Sequence, residues 1–240
     1  MVHLYQKHYP NPISEIEKEA ENIDLNFLQG DLPKILSSMR IGTDRIRQIV
    51  LSLRNFSRMD ESEFKQVDIH EGIDSTLLIL QHRLKAGLEH PEIKVIRDYG
   101  DLPLVECYAG QLNQVFMNIL ANAIDALEEI NTERVACSIE MHPCCITICT
   151  SVVDSQSVKI AIADNGNGIP ESIQTQIFNP FFTTKPVGKG TGMGMAISYQ
   201  IITEKHGGTL RFFSTPEKGT EFEICIPVQQ QELTMGKVSV

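Results

Sequence analysis

The sequence predicts an α+β fold: a two-layer α/β sandwich whose mixed, mostly antiparallel sheet is covered by helices on one face, preceded by a helical segment. Three observations support this. Apolar runs mark strands at 146–153, 158–163, 210–213 and 221–226, separated by polar turns and glycines, with Val158, Ile160 and Ile162 alternating at period two. Asn113 to Leu127, NQVFMNILANAIDAL, carries the three-and-four spacing of an amphipathic helix that buries one face against a sheet. Around Asp60 to Gln66 the composition shifts to charges without apolar rhythm, dividing a helical segment, 1–64, from a second domain, 65–228.

In chain order, residues 1–12 are rich in Tyr, His and Pro, lack periodicity, and read as a loose lead-in. Ile13 to Leu28 reads as an acidic helix opened by a capping box, Ser14 with Glu17, and Gly30 to Pro33 is expected to break it. From Pro33 to about Met59 a longer helix carries an apolar seam of Ile46, Ile49, Val50, Leu53 and Phe56, with Arg47, Arg54 and Arg58 on a flank. Such a stripe needs a partner helix from its own or a second chain, which makes 33–59 a candidate homodimer surface; the arginines read as a solvated face. Val67 to Ile69 is expected as a short strand, His70 to about Leu84 as a helix, and Ile93 to Tyr99 and Leu104 to Tyr108 as strands. After the asparagine helix, Ile146 to Val153 and Val158 to Ala163 form a hairpin around Asp154 to Ser157. A glycine-rich loop follows, then a helix from about Met193 to His206 and strands Leu210 to Phe213 and Glu221 to Ile226. No internal repeat is present, and residues 229–240 read as a disordered tail.

Composition narrows the function. In 240 residues, 42% hydrophobic content supports a proper core, while a net charge of −10 argues against nucleic acid or an anionic membrane as the main partner. An anionic ligand must therefore be held locally. No apolar run approaches the roughly eighteen residues of a membrane segment, and the expected location is the cytoplasm. The six cysteines show no CxxC pair, so reduced, strand-packed thiols are expected. His142 with Cys144, Cys145 and Cys149 approximates a zinc cluster, but adjacent strand residues point to opposite faces, which argues against it.

Chemistry gathers at three places. On the predicted asparagine helix, Leu112, Val115, Phe116, Ile119, Leu120, Ala123 and Leu127 form the core face, while Asn118, Asn122 and Asp125 line a polar strip at its edge. Asparagine is a mediocre helix former, so two in mid-helix need a reason; hard amide and carboxylate oxygens suit a magnesium ion shared with phosphates, though a solvated edge is the alternative. A second strand runs into Asp164-Asn-Gly166-Asn-Gly168-Ile169, where glycines allow backbone to approach a ligand and the carboxylate supplies a directional acceptor; a plain turn is the other reading. A calcium loop is excluded because Gly166 and Thr175 stand where oxygen ligands are needed. Third, FNPFFTTK, Phe178 to Lys185, precedes Gly188, Gly190, Gly192 and Gly194 at two-residue spacing and a helix start, a loop able to offer N–H groups to phosphates. It could equally be a mobile linker; the aromatics at its root favour a lid, and Lys185 and Lys189 add local positive charge.

In order and spacing, the asparagine helix, the DNGNG loop, FNPFFTTK, the GKGTGMGM helix start and the Gly219-Thr220 strand resemble the ATP-binding domain of two-component sensor histidine kinases. That domain has the Bergerat-type ATP-binding fold of the wider superfamily of gyrase, heat-shock chaperone and MutL-type repair ATPases. Asp44 to Arg58 is similar to the second helix of the kinase dimerisation hairpin. The resemblance implies ATP and Mg2+ as ligands, with Asn122 on magnesium, Asn118 assisting at the phosphates, and Asp164 accepting from the adenine amino group. Gly166 and Gly168 would shape the adenine pocket, Thr220 would lie near it, Gly190, Gly192 and Gly194 would be lid glycines, and Phe178, Phe181 and Phe182 would anchor the lid. Asp125, Ile169, Thr183, Lys185, Thr191 and Met193 complete the expected nucleotide lining. Where the related ATPases carry a water-activating glutamate this chain has Asn118, which implies phosphoryl transfer to a side chain over hydrolysis. The family's acceptor histidine, followed by an acidic residue on the first hairpin helix, has no match here: Leu4 and Tyr9 follow His3 and His8, and His70-Glu71 opens the second domain. The expectation is a histidine kinase lacking its acceptor helix, by truncation or gene splitting, that binds ATP without phosphorylating itself. Its partners would be an H-box helix of another chain and a response regulator, and its alternatives a non-catalytic module sequestering a kinase or a slow ATPase.

Overall fold

The computed structural model describes residues 8, 13–25, 27, 28, 30–40, 43, 64–86, 91–137, 143–154, 156–185 and 190–229, with backbone alone for 131–137. It divides into two units, 1–50 and 51–240. The seam residues Ile46 to Phe56, the expected hinge before Phe64, His142, Gly188, Lys189 and the tail beyond Gln229 lie outside the described residues.

In the first unit, α1 is Ser14–Asn22, and the capping box is corrected: Ile13 precedes the helix, no side chain caps it, and Ser14 already lies in its first turn. The break also moves. It falls at Asp24, which adopts φ 46° and accepts from the Phe27 N–H at 3.3 Å, whereas residues 30–40 are helical through Gly30 and Pro33. Aspartate tolerates the left-handed conformation and caps the helix that follows, so it supplies the punctuation expected of the glycine and proline.

The second unit begins with β1 (Lys65–Val67) and α2 (Ile69–Ile79). Ile69 belongs to the helix rather than to a strand, because the Asp68 carboxylate accepts from the His70 N–H at 2.8 Å and sets the start there. Ile69, Ile73 and Leu77, four apart, are buried along one face. The expected continuous helix is interrupted at Leu80 before the short α3 (Gln81–Leu84). Next come β2 (Lys94–Tyr99), β3 (Val105–Cys107) and α4 (Ala109–Cys137), the asparagine helix, considerably longer than 113–127. Then follow β4 (Cys145–Asp154), β5 (Ser157–Asp164), α5 (Glu171–Gln174), α6 (Gly194–Gln200), β6 (Thr209–Thr215) and β7 (Gly219–Pro227).

The five-stranded sheet has the order β2-β4-β5-β7-β6, parallel only at β2–β4 and antiparallel elsewhere. β3 lies outside it, pairing with β1 in a separate two-stranded sheet. Period two decides which side of the main sheet is covered. Ile146, Ile148, Val158, Ile160, Ile162, Ile224 and Ile226 are almost fully buried and meet the apolar face of α4, whose Leu112, Val115, Phe116, Ile119, Leu120 and Leu127 are equally enclosed. Each fully buried side chain of this size contributes about 1.5–3 kcal/mol. That burial fixes the rotation of α4 and so aims its polar edge.

The helix expected to reach His206 instead ends its α-helical part at Gln200 and widens into a π turn over Ile201–Lys205. Fully buried His206 explains the change. Its Nδ1–H donates to Ile201 O at 2.9 Å, and its Nε2 accepts from the Tyr108 N–H at 3.1 Å, tying the end of this helix to the start of α4. Among the described residues no helix is long and apolar enough to cross a membrane.

Candidate nucleotide site

Strand β5 delivers Asp164 as its last residue, opposite Thr220 of β7. Gly219 turns that corner at φ 103°, and a Cβ there would stand 2.0 Å from Asp164 O, so only glycine lets the two strand ends meet. One Asp164 oxygen accepts from the Gly166 N–H at 2.9 Å. Burial raises the Asp164 carboxyl above the usual carboxylate range, offset by backbone N–H groups of Gly166 and Thr220 that favour the ionised form. Such a carboxylate is a directional acceptor beside enclosed surface.

Ser214 completes this end. Its hydroxyl donates to Gly219 O at 3.1 Å and accepts from the Ile169 N–H at 2.7 Å, with the Thr220 hydroxyl at 2.9 Å. It therefore locks Ile169 and Thr220 to one point. Gly168, at φ 71°, would place a Cβ 2.3 Å from Thr215 O. Asn165 accepts from the Cys145 N–H at 2.8 Å and donates to Pro143 O at 3.0 Å, a structural role that pins the loop.

The opposite end is built on α4. Asn118 donates through Nδ2 to Gly194 O at 3.0 Å and to the Ser198 hydroxyl at 3.1 Å, fastening the start of α6. One turn on, Asn122 Oδ1 accepts from Lys185 Nζ at 2.9 Å, and that ammonium also bonds Asp125 Oδ2. The other Asp125 oxygen accepts from Arg83 Nη2 at 2.5 Å, and Arg83 further bonds both Glu128 oxygens at 2.6 and 3.2 Å. Thr183 accepts from the Lys185 N–H at 3.2 Å; a Cβ on Gly190 would lie 2.6 Å from the Thr183 hydroxyl and 3.2 Å from Lys185 Cβ. Gly192, at φ 67°, packs so tightly that its Cβ would lie 2.4 Å from the Phe181 carbonyl carbon. Thr191 accepts weakly from the Met193 N–H at 3.4 Å.

The two ends adjoin. A Cβ on Gly166 would stand 2.8 Å from the Asp164 carboxylate and 3.2 Å from Cβ of Ala126, which follows Asp125 and lies one turn beyond Asn122. The acid at the end of β5 therefore lies beside α4 at Ala126, one turn beyond Asn122. Of the aromatics expected to anchor the lid, Phe178 packs against Tyr199 and Phe212 at centroid distances of 5.1 and 5.8 Å, and Phe182 is half-buried. Phe181 does not anchor through its ring, which is 76% exposed; its backbone, held at φ 66°, provides the contact with Gly192. Sequence reasoning missed Arg83, Glu128, Ser198, Ser214 and Ala126. Only Ser198, four residues after Gly194 on a helix start, carried a spacing that could have signalled it.

Residues 108–230, just over half of the chain, match the family described as histidine kinase-, DNA gyrase B-, and HSP90-like ATPase. The chain is 33% identical over 188 residues to the signal transduction histidine-protein kinase AtoS of Escherichia coli (strain K12), covering 78% of this chain and 28% of AtoS. With the sensory histidine kinase/phosphatase NtrB of Azospirillum brasilense it shares 28% identity over 231 residues, 94% of this chain and 54% of NtrB. It thus spans between about a quarter and about half the length of these relatives. Among solved structures, the nucleotide-free catalytic domain of histidine kinase ThkA superposes with a TM-score of 0.55 at 26% identity, covering 69% of this chain and 96% of that domain. With its mixed sheet, its asparagine helix and its glycine-rich segment, the chain belongs to the histidine kinase-, DNA gyrase B- and HSP90-like ATPase family and carries the ATP-binding catalytic domain of a sensor histidine kinase.

Proposed function

We propose that this domain, residues 65–228, binds ATP with the adenine amino group on Asp164 and the triphosphate along the Asn118 and Asn122 edge of α4, with Asp125 behind it in the nucleotide lining, and transfers the γ-phosphoryl group to a histidine on another polypeptide. One observation supports the reading: Gly166 is wedged between the Asp164 carboxylate and Ala126, so an acceptor suited to adenine stands one helical turn of α4 from Asn122, whose oxygen suits a metal–phosphate group. Thr220, Ile169, Gly166 and Gly168 would shape the adenine end. Thr183, Lys185, Gly190, Thr191, Gly192, Met193 and Gly194 would line the phosphate end, with Phe182 at the root of the segment.

Asn122 fits magnesium: its Oδ1 is a hard amide oxygen that already faces a cationic group, the Lys185 ammonium at 2.9 Å, and an ion held there would take its other ligands from water and phosphate. Magnesium, when bound, would screen the phosphate charge. In the transfer, an imidazole nitrogen attacks the γ-phosphorus, the bridging β–γ P–O bond breaks, and ADP leaves. The protein's share is positioning and electrostatics: Lys185 brings positive charge to an acidic chain, and Asn118 holds the start of α6 in place. Asn118 is neutral and cannot serve as a general base toward water, which supports transfer to a side chain over hydrolysis. Residues 1–64 would form a partial dimerisation segment, pairing through 33–59, with a response regulator downstream in an ATP-rich cytoplasm.

Mixing the protein with γ-labelled ATP, a separate acceptor-helix fragment and a response regulator tests this. Label on the fragment is expected. ATP binding without transfer would favour a module that sequesters a partner kinase, and steady phosphate release without acceptor would favour a slow ATPase.

A further inference from the structure

Asp125 sits among groups that a nucleotide would approach, yet both of its oxygens are committed to protein cations. Arg83, projecting from α3, holds Oδ1 and grips both oxygens of Glu128, which lies one turn beyond Asp125 on α4. Lys185 holds Oδ2 while donating to Asn122 at 2.9 Å. The three side chains are each about a quarter exposed, at 25%, 26% and 28%, so the pairs are partly shielded from solvent. Arg83 and Glu128 lie outside every motif that marks the site in the sequence.

We propose that Asp125 is a positioning residue for Lys185, itself oriented by Arg83, and that the Arg83–Asp125 pair is the fixed anchor that sets the only cation of the FNPFFTTK segment at the phosphate end. The inference rests on the nucleotide-binding reading and deepens it. A lysine ammonium is a point charge on a flexible four-carbon stem, and without a second partner it would have no preferred place. Asp125 supplies that partner. Arg83 is a planar fork able to hold two carboxylates at once, so it fixes the Asp125 rotamer and neutralises Glu128, which would otherwise repel phosphate. Lys185 in turn packs against Gly190 through its Cβ, so the anchor also registers the glycine limb against the FNPFFTTK limb.

Two measurements test this, each on the full chain with folding verified by circular dichroism. In the nucleotide-free protein, the acylation rate of Lys185 by an amine-reactive ester is read by mass spectrometry against exposed Lys218. Asp125→Asn, which keeps size and shape, should speed Lys185 labelling about two- to fivefold, the scale of a partly exposed ion pair. Arg83→Met should act in the same direction but less, and Arg83→Lys should fall between it and the wild type. In the second measurement, Asp125→Asn should alter ATP affinity in the wild-type background and leave it unchanged in Lys185→Met, because Asp125 acts only through that lysine. Unchanged Lys185 labelling in Asp125→Asn, or an effect on ATP that persists in Lys185→Met, overturns the proposal. A wild type that does not bind ATP overturns the functional reading instead, and the labelling result stands independently of it.

Discussion

Replacing Asp164 by asparagine separates recognition from folding more cleanly than any other single change. The carboxylate accepts from the Gly166 N–H at 2.9 Å, and asparagine can keep that bond through its own Oδ1. The remaining position then presents an NH2 where the adenine amino group needs an acceptor. Losing a hydrogen bond to a charged group costs about 1.5–3 kcal/mol, which converts to an affinity loss of roughly 10- to 150-fold. Stability should move the other way. Burial raises the Asp164 carboxyl in the folded state above its ordinary 3.8, so the ionised form is a cost to folding at neutral pH, and that cost disappears as pH falls through the raised value. Asp164→Asn removes the charge and should melt at or above the wild-type temperature at pH 7. Isothermal titration with ATP and a thermal melt on the same sample decide the matter. Affinity within about twofold of wild type, or a collapsed melt with no folded protein to titrate, would refute the reasoning.

Other consequences follow from single contacts. Gly192→Ala places a methyl group 2.4 Å from the Phe181 carbonyl carbon at φ 67°, so ATP affinity should fall at least about tenfold while the melt changes little, since the strain stays in one surface segment. Burial lowers the His206 pKa below 6.5, so the unfolded chain takes up this proton more readily; the His206 contribution to stability is held above pH 6.5 and lost as pH falls below it. In melts from pH 8 to 5, His206→Gln should show a shallower acid decline than the wild type, and parallel curves would contradict the assignment. Phe116→Ala, on the buried face of α4 with no exposed surface, should cost about 3–5 kcal/mol in urea unfolding.

What the sequence revealed and concealed divides along physical lines. The core face of α4 was legible because burial imposes a period: Leu112 through Leu127 recur at helical spacing, and the structure buries all of them. The alternation of Val158, Ile160 and Ile162 announced the covered face of β5 for the same reason. Boundaries set by single hydrogen bonds were less visible. Asp68 captures Ile69 for a helix, Asp24 displaces a break expected at Gly30 to Pro33, and His206 widens the end of α6 into a π turn. Leu104 to Tyr108 read as a strand, but its pattern says nothing about its partner, which is β1 in a separate sheet. At the site, the glycines and Asp164 stood out because strained backbone and lone carboxylates leave local signatures, whereas Arg83 meets Asp125 across 42 residues in an ordinary helix. Long-range pairs of that kind are invisible to spacing.

The central claim is that one nucleotide spans from Asp164 to Asn122. Titrating the protein calorimetrically with ATP, first with Mg2+ and then with the metal chelated, tests it most directly. The account predicts a single saturable site whose affinity drops when magnesium is removed, with Asn122→Ala abolishing the metal dependence and Asp164→Asn leaving it intact on a weaker base. Binding indifferent to magnesium in the wild type, or no binding at all, would contradict it.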